Sequence, residues 1–101
     1  MNEISKVSQI TAEDVWEYIN PAEDMDSDSE TTLNNLIGIA KAFISSYTGR
    51  SQEELDNYQD FVIVALVLCQ DMWDNRTLYV DKGNLNKVVE SILGLHSVNL
   101  L

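Results

Sequence analysis

Residues Tyr58 to Arg76 read YQDFVIVALVLCQDMWDNR. Tyr58, Phe61, Val62, Ala65, Cys69, Met72, Trp73 and Arg76 recur at steps of three and four, the stripe by which an amphipathic helix meets a core. Ile63, Val64, Leu66, Val67 and Leu68 fill the remaining faces between Phe61 and Cys69. The middle of this helix therefore has no face suited to water, and the expectation is that it is covered all round, by the other helices or by a second copy. The predicted fold class is all-α: a small bundle of about four helices around this central one.

The 101 residues suffice for one core, in which roughly 60 to 70 % of the unfolded chain's surface is buried. The division expected is a loose arm over 1–10, a helical domain over 11–95 and an apolar tail over 96–101. The formal net charge of -11, from 17 acidic and 6 basic residues, argues against tight wrapping of a nucleic-acid backbone, which depends on lysines and arginines that displace counterions. The lone Cys69 permits no internal disulfide and, on an apolar helix, reads as a buried thiol. The start MNEISKVSQITAED lacks the apolar segment and cleavage site of a signal peptide. The unbroken run from Phe61 to Cys69 is about half of what a membrane span requires, so a soluble chain is expected.

Thr11, with Asp14 three residues on, caps a short first helix that continues through Val15, Trp16 and Ile19 and stops at Asn20-Pro21. Trp16 and Ile19 can close the core as a lid, or Trp16 can serve a partner. Eight acidic residues lie between Glu13 and Glu30, and no lysine or arginine between Lys6 and Lys41. The alternation of Asp24, Asp26 and Asp28 raises a calcium loop, but its sixth position would be Ser29 where glycine is needed, and its twelfth Asn35 where a bidentate glutamate is needed. A weak divalent site stays open. The better account makes Ser27 and Glu30 a capping box, with the carboxylates crowding the positive end of the next helix.

That helix shows Leu33, Leu36, Ile37, Ala40, Phe43, Ile44 and Tyr47 on one face and ends at Gly49. Gly38 in its interior costs about 1 kcal/mol relative to alanine, and a close helix crossing would explain it. Ser51 and Glu54 form a further capping box leading into the central helix. Beyond Arg76, Thr77-Leu78-Tyr79-Val80 has no partner strand and reads as an extended loop, with Leu78, Tyr79 and Val80 a candidate contact surface. Asn84 is a cap for a last helix whose buried face holds Leu85, Val88, Val89, Ile92 and Leu93 and which Gly94 ends. Leu100 and Leu101 suggest a tail that docks on the chain itself or on a partner.

No converging set of catalytic groups is legible. His96 stands outside any metal-ligand or carboxylate spacing, Cys69 lacks a nearby histidine, and the four glycines form no phosphate loop. The expectation is a non-enzyme without catalytic, metal or cofactor residues.

Tyr47-Thr48-Gly49-Arg50 closing the second helix and Trp73-Asp74-Asn75-Arg76 closing the central one, in that order and spacing, resemble the small head-to-tail connector (adaptor) proteins of tailed bacteriophages and prophages, over roughly Thr11 to Leu95. The resemblance implies an all-helical structural subunit, made in the bacterial cytoplasm, that assembles as a ring below the portal at the virion head–tail junction. Portal and tail-completion proteins would be its partners, DNA would pass without specific binding, and no membrane would be involved. Tyr47, Gly49, Arg50, Trp73 and Arg76 would be its structural motif residues, with Arg76 holding the following loop or bridging to a neighbour. Asp24, Asp26, Asp28 and Glu30 would face the channel. Members of the family often carry prolines before the last helix and a basic residue near the end, whereas this chain has Pro21 alone and finishes in Leu100-Leu101. The competing possibilities are a free acidic helical module that binds a basic protein or mimics DNA, and the divalent-ion binder at the acidic linker.

Overall fold

The computed structural model describes residues 4–19 and 22–98. Its helices are α1 (Ala12–Ile19), α2 (Ser27–Thr48), α3 (Gln52–Leu55), α4 (Asp60–Asn75) and α5 (Lys87–His96), with single 3₁₀ turns at Val7–Gln9 and Lys82–Asn84 and no strand among the described residues. The expected all-α bundle is what forms. None of its helices is long and apolar enough to cross a membrane.

The caps explain most of the boundaries. Thr11 and Asp14 exchange bonds: the Asp14 carboxylate accepts from the Thr11 N–H and hydroxyl, each at 2.9 Å, and the Thr11 hydroxyl accepts from the Asp14 N–H. Ser51 and Glu54 form the expected reciprocal box. At α2 the cap is one residue earlier than expected. Asp26, not Ser27, accepts from the Ser29 N–H at 2.7 Å, because a carboxylate outcompetes a hydroxyl for the helix's free donors. Gly49 ends α2 at φ 74°, where only glycine escapes a Cβ penalty.

The central helix is covered almost entirely by its own chain. Phe61, Val62, Val64, Ala65, Leu66, Leu68, Cys69 and Met72 are buried. The exception is one strip, where Ile63 is 40 % exposed and Val67 half-buried between Gln59 and Gln70. The chain's own elements therefore leave a single line of the helix uncovered, which is the part the expectation assigned to a second copy where the helices fall short. Burial pushes the Cys69 thiol up to about 12, so it is inert at neutral pH. Thr32 and Leu36, early in α2, line one cavity with Met72 and Trp73, late in α4, so α2 and α4 run antiparallel; Leu85 lies across a cavity from Leu68 while His96 reaches Asp60, so α5 returns along α4.

Part of the cover comes from a segment expected to be a loose arm. Val7 and Ile10 are buried in the core. The 3₁₀ turn brings these two residues, three apart, to one side, and the Asp56 carboxylate accepts the Ser8 N–H at 3.0 Å and its hydroxyl at 2.7 Å. Those two bonds hold the Asp56 carboxyl below its usual value. Four residues are too few to show a period.

The last helix also departs from expectation. Its cap is Asn86, which accepts from the Val88 N–H at 2.8 Å, and Asn84 instead closes the preceding turn by donating to Asp81. Val89 and Leu93 face inward as expected and Ile92 is half-buried against the core, but Val88 is 61 % exposed. Gly94 does not end the helix, which runs on to His96.

Nothing lies within 4 Å of a Cβ built at Gly38, so no close crossing accounts for that glycine. Gly38→Ala is expected to stabilise the protein by about 0.8 to 1 kcal/mol through helix propensity alone, read as a higher midpoint in thermal denaturation. An unchanged or lower midpoint contradicts the open space on that face.

Candidate docking surface

The end of α4 is built to aim the loop that follows it. Arg76 adopts φ 54°, the one left-handed residue other than glycine among those described. Its N–H closes the helix on Met72 O and Trp73 O, and the Thr77 N–H donates to Met72 O at 3.0 Å. These backbone bonds satisfy the terminal carbonyls. The guanidinium lies 4.7 Å above the Trp73 ring, whose other neighbour is Trp16, edge-on at 5.9 Å. Trp16 in turn donates its indole N–H to Glu23 O at 2.6 Å. It thus tethers the acidic linker while lying against the core, in the lid position.

Thrown clear by this turn, Leu78 is 68 % and Tyr79 62 % exposed, while Val80 is half-buried. A cavity of about 260 Å³ opens on each side. One lies between α4 and the segment 77–85, lined by Leu68, Asp71, Met72, Val80, Asp81 and Leu85 among others. The other lies where α2 meets the end of α4, against Leu36, Met72, Trp73 and Leu78. The candidate contact residues Leu78 and Tyr79 therefore stand between two clefts. Leu100 and Leu101, the other candidates, lie outside the described residues.

In the first cleft Asp71 is mostly exposed, yet partial burial pushes its carboxyl above the usual range and the Asp74 charge adds to this. Asp81 accepts from the Gly83 N–H at 3.1 Å and the Asn84 amide at 2.8 Å.

Asp24, Asp26, Asp28 and Glu30 are all exposed, the last two on the first turn of α2. They do not converge. Among the described residues no three His, Cys, Asp or Glu side chains stand close enough to hold a metal ion, so the calcium-loop alternation has become a helix start. Asp26 alone has a tight partner, and the Ser29 bonds hold its carboxyl below the usual value.

The Tyr47-Thr48-Gly49-Arg50 motif builds a different feature, a clamp on the C-terminal segment. Thr48 is buried, its hydroxyl donates to Ile44 O and its carbonyl accepts the Val98 N–H at 2.8 Å. Arg50 donates from Nε to His96 O at 2.6 Å, pairs with Glu54 at 3.4 Å and lies 4.7 Å above the Tyr58 ring. Tyr47 packs against Phe43, with the Lys82 ammonium 5.5 Å from its ring.

His96, which sequence spacing left alone, is brought within 2.8 Å of Asp60 and lies against the rings of Tyr58 and Phe61. Thirty-six positions separate the pair, and no local signal announces it. The adjacent Ser97 hydroxyl is turned to Leu93 O, so the pair has no nucleophile beside it there. Its evident work is to seat the end of α5.

Compared with known protein families, with curated proteins and with solved structures, the chain gives no significant match.

A carboxyl whose value is raised on folding binds its proton more tightly in the folded state, so its ionisation destabilises the fold at neutral pH and is harmless once both states are protonated. Asp71→Asn is therefore expected to raise the melting temperature at pH 7, and the difference should vanish as the pH falls below about 4. A lower melting temperature for the variant at pH 7 would show that the charge is compensated.

Proposed function

We propose that this protein is a structural subunit of the phage or prophage head-to-tail connector kind, assembling as a ring below a portal with no reaction of its own. The observation that carries this is the pair Leu78 and Tyr79, exposed on a turn held by backbone bonds and by the Arg76–Trp73 stack. Exposed apolar side chains on a fixed scaffold lose little entropy on association, and two adjoining clefts give a partner's side chains somewhere to go. Val88, Leu95 and Ile63 add apolar surface elsewhere, at 61 %, 76 % and 40 % exposure.

The charge agrees with a channel component. The carboxylate residues Asp24, Asp26, Asp28 and Glu30 are exposed, and at -11 overall the protein repels a passing duplex. The same exposed carboxylates favour the second reading, a free acidic module that binds a basic protein or mimics DNA. Co-elution with a basic protein in place of portal would select it.

The double variant Leu78→Ser, Tyr79→Ser touches side chains that pack on little, so its stability should stay within about 0.5 kcal/mol of wild type. Its co-sedimentation with portal should be lost. A wild-type chain that stays monomeric at every concentration and ignores portal contradicts the connector reading.

Replacing Asp24, Asp26 and Asp28 with Asn and Glu30 with Gln preserves the α2 cap, since asparagine caps as well as aspartate. Assembly should survive, and DNA packaging or ejection in a phage complementation assay should change. Unaltered infection would remove these four residues from the channel wall.

A further inference from the structure

The cleft between α4 and the segment 77–85 holds more than the loop's apolar contact requires. Leu68 and Met72 are buried and form its floor, Val80 and Leu85 are half-buried, and the exposed Asp71, Asn75, Asp81 and Asn84 form its rim. At about 260 Å³ it falls below the 300–1,000 Å³ usual for small-molecule sites, and is of a size for one long side chain.

The rim is acidic and has no cation of its own, although Asp81 accepts from the Gly83 N–H and the Asn84 amide. Among the described residues neither Asp71 nor Asp81 takes part in an ion pair, and Asp71 is further burdened by Asp74. Two of the chain's own cations at this loop are engaged elsewhere: Arg76 lies over Trp73 and Lys82 over Tyr47.

We propose that this cleft receives a basic side chain, arginine above all, carried beside an aliphatic residue on an extended segment of a partner protein. The methylene stem suits the Leu68 and Met72 floor, and a planar guanidinium can bond to the carboxylates and amide oxygens at the rim. The flanking aliphatic residue meets Leu78 and Tyr79, which stand beside the opening. A protein of net charge -11 also draws such a segment in from a distance. The proposal rests on reading the 77–80 loop as a docking surface, but it does not require a ring.

The test is a titration of ¹⁵N-labelled, unassembled protein with acetyl-Leu-Arg-Leu-amide, with the Gln counterpart and with calcium chloride, followed by amide shifts. The arginine peptide should move the amides of Asn75, Thr77, Val80, Asn84 and Leu85, and salt should weaken it. Asp71→Asn should bind it about fivefold more weakly or worse, having lost a charge-assisted bond. Equal binding of the Gln peptide, an unaffected Asp71→Asn variant, or shifts centred on Asp24 to Glu30 would each overturn the proposal. So would calcium moving the same amides as strongly, which means a metal site, or concentration-dependent shifts without any probe, which mean that a second copy fills the cleft. Failure of portal co-sedimentation leaves this result untouched, so the two readings fall separately.

Discussion

Eight side chains of α4 must leave water together, on nearly every side of one helix, and this requirement arranges the molecule. A helix with a single apolar stripe can lie on a neighbour. One like α4 needs a sheath, and at this chain length the sheath uses whatever is available: α1, α2, α5 and the 3₁₀ turn near the start. The N-terminal segment is recruited for that reason, and the Ser8–Asp56 bonds fix it there. What the sheath leaves open is the strip at Ile63 and Val67; with the 77–80 loop, Val88 and Leu95 on α5, and Val98 it forms the main exposed apolar surface among the described residues.

Polar groups divide along the same line. Those at helix ends are satisfied locally, by Asp14, Asp26, Glu54 and Asn86, and are tied to the fold. Arg50, Asp60 and His96 seat the end of α5 against the start of α4, with aromatic rings beside the His96–Asp60 hydrogen bond. Asp71 belongs to neither group. Its charge is disfavoured where it stands and serves no helix end.

Local patterns in the sequence carried the fold class, α2, the boxes at Thr11 and Ser51, and the glycine cap at Gly49. Each of these is decided within a few residues of itself, where backbone donors and side-chain acceptors compete at short range. The misplacements arise where two capping residues stand close together. Asp26 next to Ser27, and Asn86 two residues from Asn84, present rival acceptors, and the choice rests on three-dimensional fit. The exposed loop at Leu78 was legible because its residues fit no helical stripe. The acidic cleft beside it and the His96–Asp60 pair were not, since both join residues from distant parts of the chain.

The two left-handed helix ends show what the fold treats as fixed. At Gly49 the conformation costs no Cβ strain, and the chain simply turns into α3. At Arg76 the same conformation costs roughly 1 to 2 kcal/mol, because a side chain is present. The backbone bonds to Met72 and Trp73 would form with glycine as well, so they do not explain the arginine. What glycine would lack is the guanidinium on Trp73, worth about 0.5 to 1 kcal/mol at an exposed site, and the restriction it places on the turn. The left-handed Arg76, with its guanidinium on Trp73, therefore sets the direction in which the chain leaves α4, just ahead of the exposed Leu78 and Tyr79.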